Sequence, residues 1–293
     1  MGKMSKRKSI VAGQFYPSEH GPCINEIEQY TKQIISSKLL PKTIVAGIVP
    51  HAGWAFSGSL AALVFSAIKQ QHEKVHTFVI FGAAHSYFGP VPAVDNSNFW
   101  QTPLGNVAVD TDLAECLLDN KLVVSDALAH KSEHSIEVQV PFIQYLFQDA
   151  EILPIIVPPD KQAISLGEAF GDIMTPAGKK IVCIGSTDLT HYGPRYGFTP
   201  MGTSLDALKW ASSVNDQQFI DSALKLEPQA LLASAAENCN ACGAGAAAAT
   251  IASARKLGKT EGLLLAHTNS NEVMQQKMAT TSTDSVGYAA MVF

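Results

Sequence analysis

Three histidines stand just beyond three short apolar runs: His51 after "TIVAGIV", His85 after "HTFVIFG", and His191 after "KIVCIG". Imidazole titrates near neutrality and ligates Fe, Cu and Zn, so histidines at matched positions point to proton transfer or metal binding. A lone loop histidine is more often a surface or hydrogen-bonding residue. Repetition at three equivalent exits is what favours chemistry here. The last of the three lies in "STDLTHYG", where Asp188 joins it in a stretch with more hydrogen-bonding and titrating groups than a turn needs. His20, His72, His76 and His130 occupy no such matched places, and His267 ends "LLLAH" without a dense polar cluster, so it is read as structural.

Three loops from distant parts of a chain converge only if one sheet edge carries them. Apolar runs rich in branched residues predict strands over 43–49, 76–82, 151–157, 180–185, 261–267 and 285–293. Helical patterns fall between them, over 24–35, 59–69, 111–118, 161–174, 205–224 (one helix or two) and 243–256. This alternation predicts an α/β fold with a central mainly parallel or mixed sheet flanked by helices. In such sheets the ligand crevice lies at the carboxyl ends of the strands, which is where the three histidines sit. With no linker or internal repeat, residues 12–293 are expected to form one domain after a short tail, residues 1–11.

Two imidazoles and one anionic donor would complete a facial metal set with open positions, suited to Fe(II), Cu or Zn. Cys242 is a candidate donor, since it opens a helix whose N-terminal dipole favours thiolate. The small residues of "CGAGAAAA" have a plainer reading as a close helix contact. A rival takes "CNAC", Cys239 to Cys242, as a redox dithiol, although its late place in a large chain is unlike thioredoxin. No second CxxC pair exists for a zinc ribbon. His134 precedes an apolar helical run that Ser135 could cap, so it is either a pocket residue or part of a helix start.

The stretches "PHAGWAFSG", "GAAHS", "EHSIEVQVP", "STDLTHYG", "NACGAG" and "DSVGYAAMVF", in this order, resemble the Memo family, which is similar in fold to the class III (LigB-type) extradiol dioxygenases. The resemblance runs from Ala12 to the C-terminus. It implies a metal pocket with His51, His85 and Cys242 as ligands and with His134, Asp188 and His191 lining it. Fe(II) is the first expectation for the metal, with Cu or Zn as the others. His191 is expected to act as general base or hydrogen-bond donor, with Asp188 orienting it or binding substrate. The ring-cleaving enzymes use a Glu where this chain has Cys242, a softer and oxidisable donor, so ring cleavage itself does not follow. The functional expectation is a metal-dependent, dioxygenase-like oxidoreductase. The alternatives are a non-catalytic pocket for a peptide or small anion and the dithiol protein. Cys239 has no place in the family pattern.

Composition narrows the partners. The chain has 293 residues, 46% hydrophobic and 16% charged, enough to bury a large core. A net charge of −5 and no basic run beyond "KMSKRK" argue against nucleic acid. No run of about 18 apolar residues predicts a membrane span, and the N-terminus lacks the apolar core of a secretory signal. Five scattered cysteines argue against a disulfide framework. A cytoplasmic protein with a small molecule or peptide in its metal pocket is expected; oligomeric state is not legible.

Overall fold

The computed structural model describes residues 5–33, 35–174 and 179–293. Its strands are β1 (Lys6–Arg7), β2 (Ala46–Val49), β3 (Thr77–Gly82), β4 (Ala93–Val94), β5 (Phe99–Thr102), β6 (Gly105–Ala108), β7 (Val124–Ser125), β8 (Glu151–Ile156), β9 (Ile181–Ser186), β10 (His191–Tyr192), β11 (Leu263–Asn269) and β12 (Ser285–Val292). Its helices are α1 (His20–Thr31), α2 (Trp54–Gln71), α3 (Thr111–Asp119), α4 (Val140–Leu146), α5 (Lys161–Met174), α6 (Leu205–Trp210), α7 (Asp216–Leu224), α8 (Pro228–Asn238), α9 (Ala244–Lys256) and α10 (Ser270–Met278).

At the centre, β2, β9, β3 and β8 run parallel in that spatial order. Every residue of β2, β3 and β9 is buried, which is why these strands read as unbroken apolar runs and not as alternating ones. Antiparallel β12 extends the sheet beyond β2, and antiparallel β4 extends it beyond β8. The sheet is therefore mixed, with a parallel heart.

Helices cover both faces. α2 packs on β2 and β12 with α1 and α4 outside it, and α9 packs on β2, β9 and β3 with α5 against it. Trp54 and Phe142 interlock with ring centroids 4.4 Å apart, and burying a side chain such as Phe142 contributes roughly 1.5–3 kcal/mol. The alanines of α9 serve close packing: a Cβ at Gly167 of α5 would collide with the Ala249 carbonyl oxygen. Among the described residues no helix is long and apolar enough to cross a membrane.

Several elements differ from expectation. α2 starts at Trp54 instead of residue 59, because Trp54 is buried and its indole N–H donates to Val138 O at 2.9 Å; tertiary packing extends the helix into a glycine-containing stretch. α1 starts at His20 and ends at Thr31, short of the expected residue 35, while residue 34 lies outside the described residues. Helices α8 and α10 and the short strands β4 to β7 have no counterpart in the expected set. Residues 205–224 form α6 and α7, joined by a π-helical turn at Ala211–Asn215.

The segment expected as a tail is docked from Ser5 onward; residues 1–4 lie outside the described residues. β1 pairs in parallel with β5, and Arg7 is buried behind it. Its guanidinium meets Glu137 Oε2 at 2.7 Å, donates to His130 O at 3.0 Å and Glu133 O at 2.7 Å, and lies 4.0 Å from the centre of the Trp100 ring. Glu137 in turn accepts from the backbone N–H groups of Ile10 and Val11. A charge with this many partners holds its chain segment in place.

Candidate metal centre

Strand β9 lies between β2 and β3, so the loops leaving β2 and β3 bracket its end and can meet above it. His51 follows β2 by two residues and is 2% exposed. Its backbone N–H donates to Asp188 Oδ1 at 2.7 Å, and that of Ala52 donates at 3.3 Å. Its ring Nδ1 lies 3.1 Å from Ser186 Oγ, whose hydroxyl donates to Ser135 O at 2.7 Å. With that proton spent, Ser186 Oγ accepts, so His51 carries its proton on Nδ1 and presents a free Nε2. Burial first, then neighbouring His85 and His134, hold His51 well below its ordinary pKa, in the neutral form that ligates metals.

His85 leaves β3 at the same edge. Its Nδ1 donates to Glu133 Oε1 at 3.0 Å, which again leaves Nε2 free. Glu133 is 2% exposed and also accepts from the backbone N–H groups of His134 at 2.9 Å and Ser135 at 2.8 Å. Burial opposes its ionisation, but the His85 hydrogen bond and charge and these backbone donors hold the carboxyl down to about 2. Reciprocally, His85 is raised: burial works against its charge, and Glu133 overcomes that. A carboxylate behind a histidine fixes the ring and strengthens it as a donor. Glu133 was not singled out in the sequence, and the available signal was its place immediately before His134 in "EHS".

His134 joins the two. One ring nitrogen from each of His51, His85 and His134 lies within 4.8 Å of the others. The rings of His85 and His134 stack at 5.0 Å. Ser135 does not cap the helical turn that follows; its hydroxyl accepts from Ala83 N–H at 3.0 Å, tying the β3 exit to this loop.

Cys242 arrives from the loop before α9, and its Sγ lies 3.1 Å from His51 Nε2. Its backbone N–H donates to Asp188 O at 3.2 Å, and a Cβ at the next residue, Gly243, would strike Ser186 O, so only glycine lets this chain pass so close to the end of β9. The expected thiolate is not favoured here: burial and then the Asp188 charge push the thiol up. The partial charge at a helix N-terminus is too small to offset desolvation of a buried anion. Cys239 is exposed, caps the C-terminal end of α8 in a left-handed conformation and shares no helix with Cys242, unlike a redox dithiol motif.

Asp188 and His191 stand apart from one another in role. Burial raises Asp188 to about 6, while the N–H groups of His51 and Ala52 pull it back; its carboxylate anchors the β2 exit. His191 is oriented by its own chain, through Nδ1–H donating to Leu189 O at 3.0 Å, and not by the Asp188 hydrogen bonds just described. It faces Tyr196 edge-on at 5.1 Å and, with His134, Asp188, Arg195 and Tyr288, lines a cleft of about 470 Å³. His267 lies outside that lining and meets Asp216 at 3.0 Å.

The chain has clear relatives. The model of the Memo-like protein family matches residues 7–292. A MEMO1 family protein of Methanosarcina mazei is 34% identical over 293 residues, covering 99% of each chain. Another, from Thermococcus onnurineus, is 36% identical over 296 residues, covering 98% of this chain and 99% of its own. Among solved structures, an uncharacterized protein of Escherichia coli K12 is similar at a TM-score of 0.51 and 14% identity, covering 83% of this chain and 99% of that one. That last likeness concerns the fold alone. The full-length matches at this identity establish that the chain belongs to the Memo family.

Proposed function

We propose that this protein is a metal-dependent oxidoreductase in which His51, His85 and Cys242 hold one metal ion, Fe(II) foremost, with Cu or Zn as the other candidates. The carrying observation is that His51 and His85, each with its Nδ1 committed elsewhere, bring ring nitrogens within 4.8 Å of one another, with Cys242 Sγ 3.1 Å from His51 Nε2. Two imidazoles and a thiol are donor types that suit such a metal, and one donor pair has the spacing of a shared ion. Donors sharing a tetrahedral ion at bond lengths of 2.0–2.3 Å lie roughly 3.5 Å apart, and Cys242 Sγ is 3.1 Å from His51 Nε2.

A bound Fe(II) or Cu ion would supply Lewis acidity and a redox couple. The chain itself does the remainder. Glu133 fixes His85 and supplies negative charge behind it. Asp188 holds the backbone from which His51 projects. His191, with Nδ1 tied to Leu189 O, keeps Nε2 to accept or return a proton from a molecule in the cleft. Arg195 at the same cleft favours an anionic small molecule or peptide as occupant, which is also the basis of a second reading, a pocket that binds without turnover.

Metal analysis of anaerobically purified protein tests the first part: about one equivalent of metal per chain is expected, and His51→Ala should lose it. Oxygen uptake with catechols or a reductant then separates the readings. Metal without any oxygen consumption would leave the binding pocket as the function.

A further inference from the structure

Among the described residues the two most exposed large apolar side chains, Phe88 at 92% and Leu128 at 76%, stand on neighbouring loops. The loops are joined at the β7 edge of the sheet: Val124 N–H donates to Pro92 O at 2.9 Å, and Asp126 N–H donates to Val94 O at 3.0 Å. Lys131 closes the turn that carries Leu128, its N–H donating to Leu128 O at 3.1 Å. Beside that turn Lys6, Lys8, Ile10, Ala127 and Lys131 line one depression, and Ile10 and Val124 are exposed as well. Single exposed apolar residues are ordinary, but a group of them on one face marks a contact surface. The charge around this group is basic, although the whole chain carries −5. Lys6, Lys8 and Lys131 are exposed, and the ion pairs among the described residues use other cations. The nearby acids are engaged: Asp95 accepts from Ser97 N–H and the Trp100 indole, and Asp126 accepts from the N–H groups of Leu128 and Ala129.

We propose that this face docks on an anionic phospholipid surface, with Lys6, Lys8 and Lys131 among the headgroups and Phe88 and Leu128 entering the boundary of the acyl chains. Charge complementarity selects an acidic occupant, because the negative surface potential of anionic lipids attracts lysines held close to it. The apolar side chains select a lipid one. Phe88 and Leu128 protrude and touch little of their own protein, which suits a fluid apolar layer that needs no shaped counterpart. The contact is peripheral and requires no spanning helix. The Phe88 loop begins just after β3 with His85 near its start, so docking brings the bilayer within three residues of the candidate metal centre. The proposal does not depend on that centre's assignment.

Co-sedimentation of the full chain with vesicles of phosphatidylcholine, and of phosphatidylcholine with phosphatidylserine at about 3:1, tests this. Wild type should bind the anionic vesicles roughly 10-fold or more tightly than the neutral ones, and the difference should vanish at about 1 M salt, where charges are screened within about 3 Å. Lys6→Gln, Lys8→Gln and Lys131→Gln together should weaken binding roughly 100-fold, about 5-fold for each lysine. Phe88→Ala and Leu128→Ala should each weaken it roughly 10-fold. All five side chains are exposed, so circular dichroism and thermal unfolding should match wild type. The same change at three exposed lysines elsewhere, Lys32, Lys42 and Lys74, should cost less than about 3-fold. Wild type that fails to bind anionic vesicles, binding indifferent to Phe88 and Leu128, or equal losses from the two lysine triples overturns the proposal. Displacement by millimolar inorganic phosphate alone would assign the lysines to a free anion instead. A soluble acidic, leucine-containing peptide that binds where vesicles do not would assign the face to a protein partner, and a dimer split by Phe88→Ala would assign it to a second copy of this chain.

Discussion

His191 lines the cleft and His51 lies buried beside it, next to the cleft residue Ala52, and the two are held by different means. His51 is 2% exposed, with its backbone on Asp188, one ring nitrogen on Ser186 and the other against Cys242, so two distant stretches of chain fix it. His191 is only partly buried, and its ring hydrogen bond goes two residues back along its own chain. The contrast extends to their neighbours. Behind the inner wall stand buried Glu133, Arg7 and Glu137; on the outer wall stand Arg195 and Tyr196, both exposed. A wall whose groups are fixed from several sides suits a metal, which needs donors at set positions. A wall tied only locally suits exchange of protons and ligands with solvent.

The contrast breaks most visibly through stability. Arg7→Ala strands Glu137, which is 1% exposed, without its guanidinium, and removing one partner of a buried pair costs about 3–5 kcal/mol. Arg195→Ala on the outer wall should stay within about 0.5 kcal/mol of wild type. Urea unfolding of both variants compares them directly. Equal losses would mean that the outer wall is as structural as the inner.

Function should divide the opposite way at His191. His191→Ala is expected to leave metal content unchanged while lowering turnover by at least roughly 100-fold, the usual scale for losing a general acid or base. Metal stoichiometry and oxygen uptake on one preparation read both. Loss of the metal would place His191 on the inner wall.

A smaller effect is expected at Glu133. Glu133→Gln keeps the side chain's shape but removes the charge that orients His85, and altering such a partner typically weakens metal affinity by roughly 10- to 100-fold. Equilibrium competition for Zn(II) measures it. An unchanged affinity would mean that the Glu133 contact serves folding alone.

These contrasts also separate what the sequence discloses from what it hides. His51, His85 and the Asp188–His191 corner are legible because strand exits in a parallel sheet share one edge, and strand exits can be read from apolar runs. Glu133 is hidden because the run "KSEH" has neither a strand nor a helix period to say which way it faces. Arg7 is more deeply hidden: a basic residue near an N-terminus reads as solvated, and its burial depends on Glu137, 130 positions away. The raised thiol of Cys242 is hidden for a related reason. A helix start is visible in sequence, whereas the desolvation that outweighs it depends on Asp188 and the burial of the whole corner.

The two cysteines of "CNAC" give the smallest test. Cys239 is exposed, while Cys23 and Cys183 are fully buried with thiols pushed up to about 12 by burial. At a given pH near neutrality a thiol with pKa near 12 has roughly three orders of magnitude less thiolate than an ordinary one near 8.5, and thiolate is the reactive form. Cys242 is half-buried, and its raised thiol and its contact with His51 protect it in a similar way. A disulfide reagent added to folded protein should therefore modify Cys239 in a fast phase, and Cys239→Ser should abolish that phase while changing metal affinity by less than about twofold, since the residue touches neither wall. Mass spectrometry of the modified peptides assigns each phase. Modification of Cys242 as fast as Cys239 would show that the inner wall is open to solvent, and the distinction between the two walls would fail at its closest point.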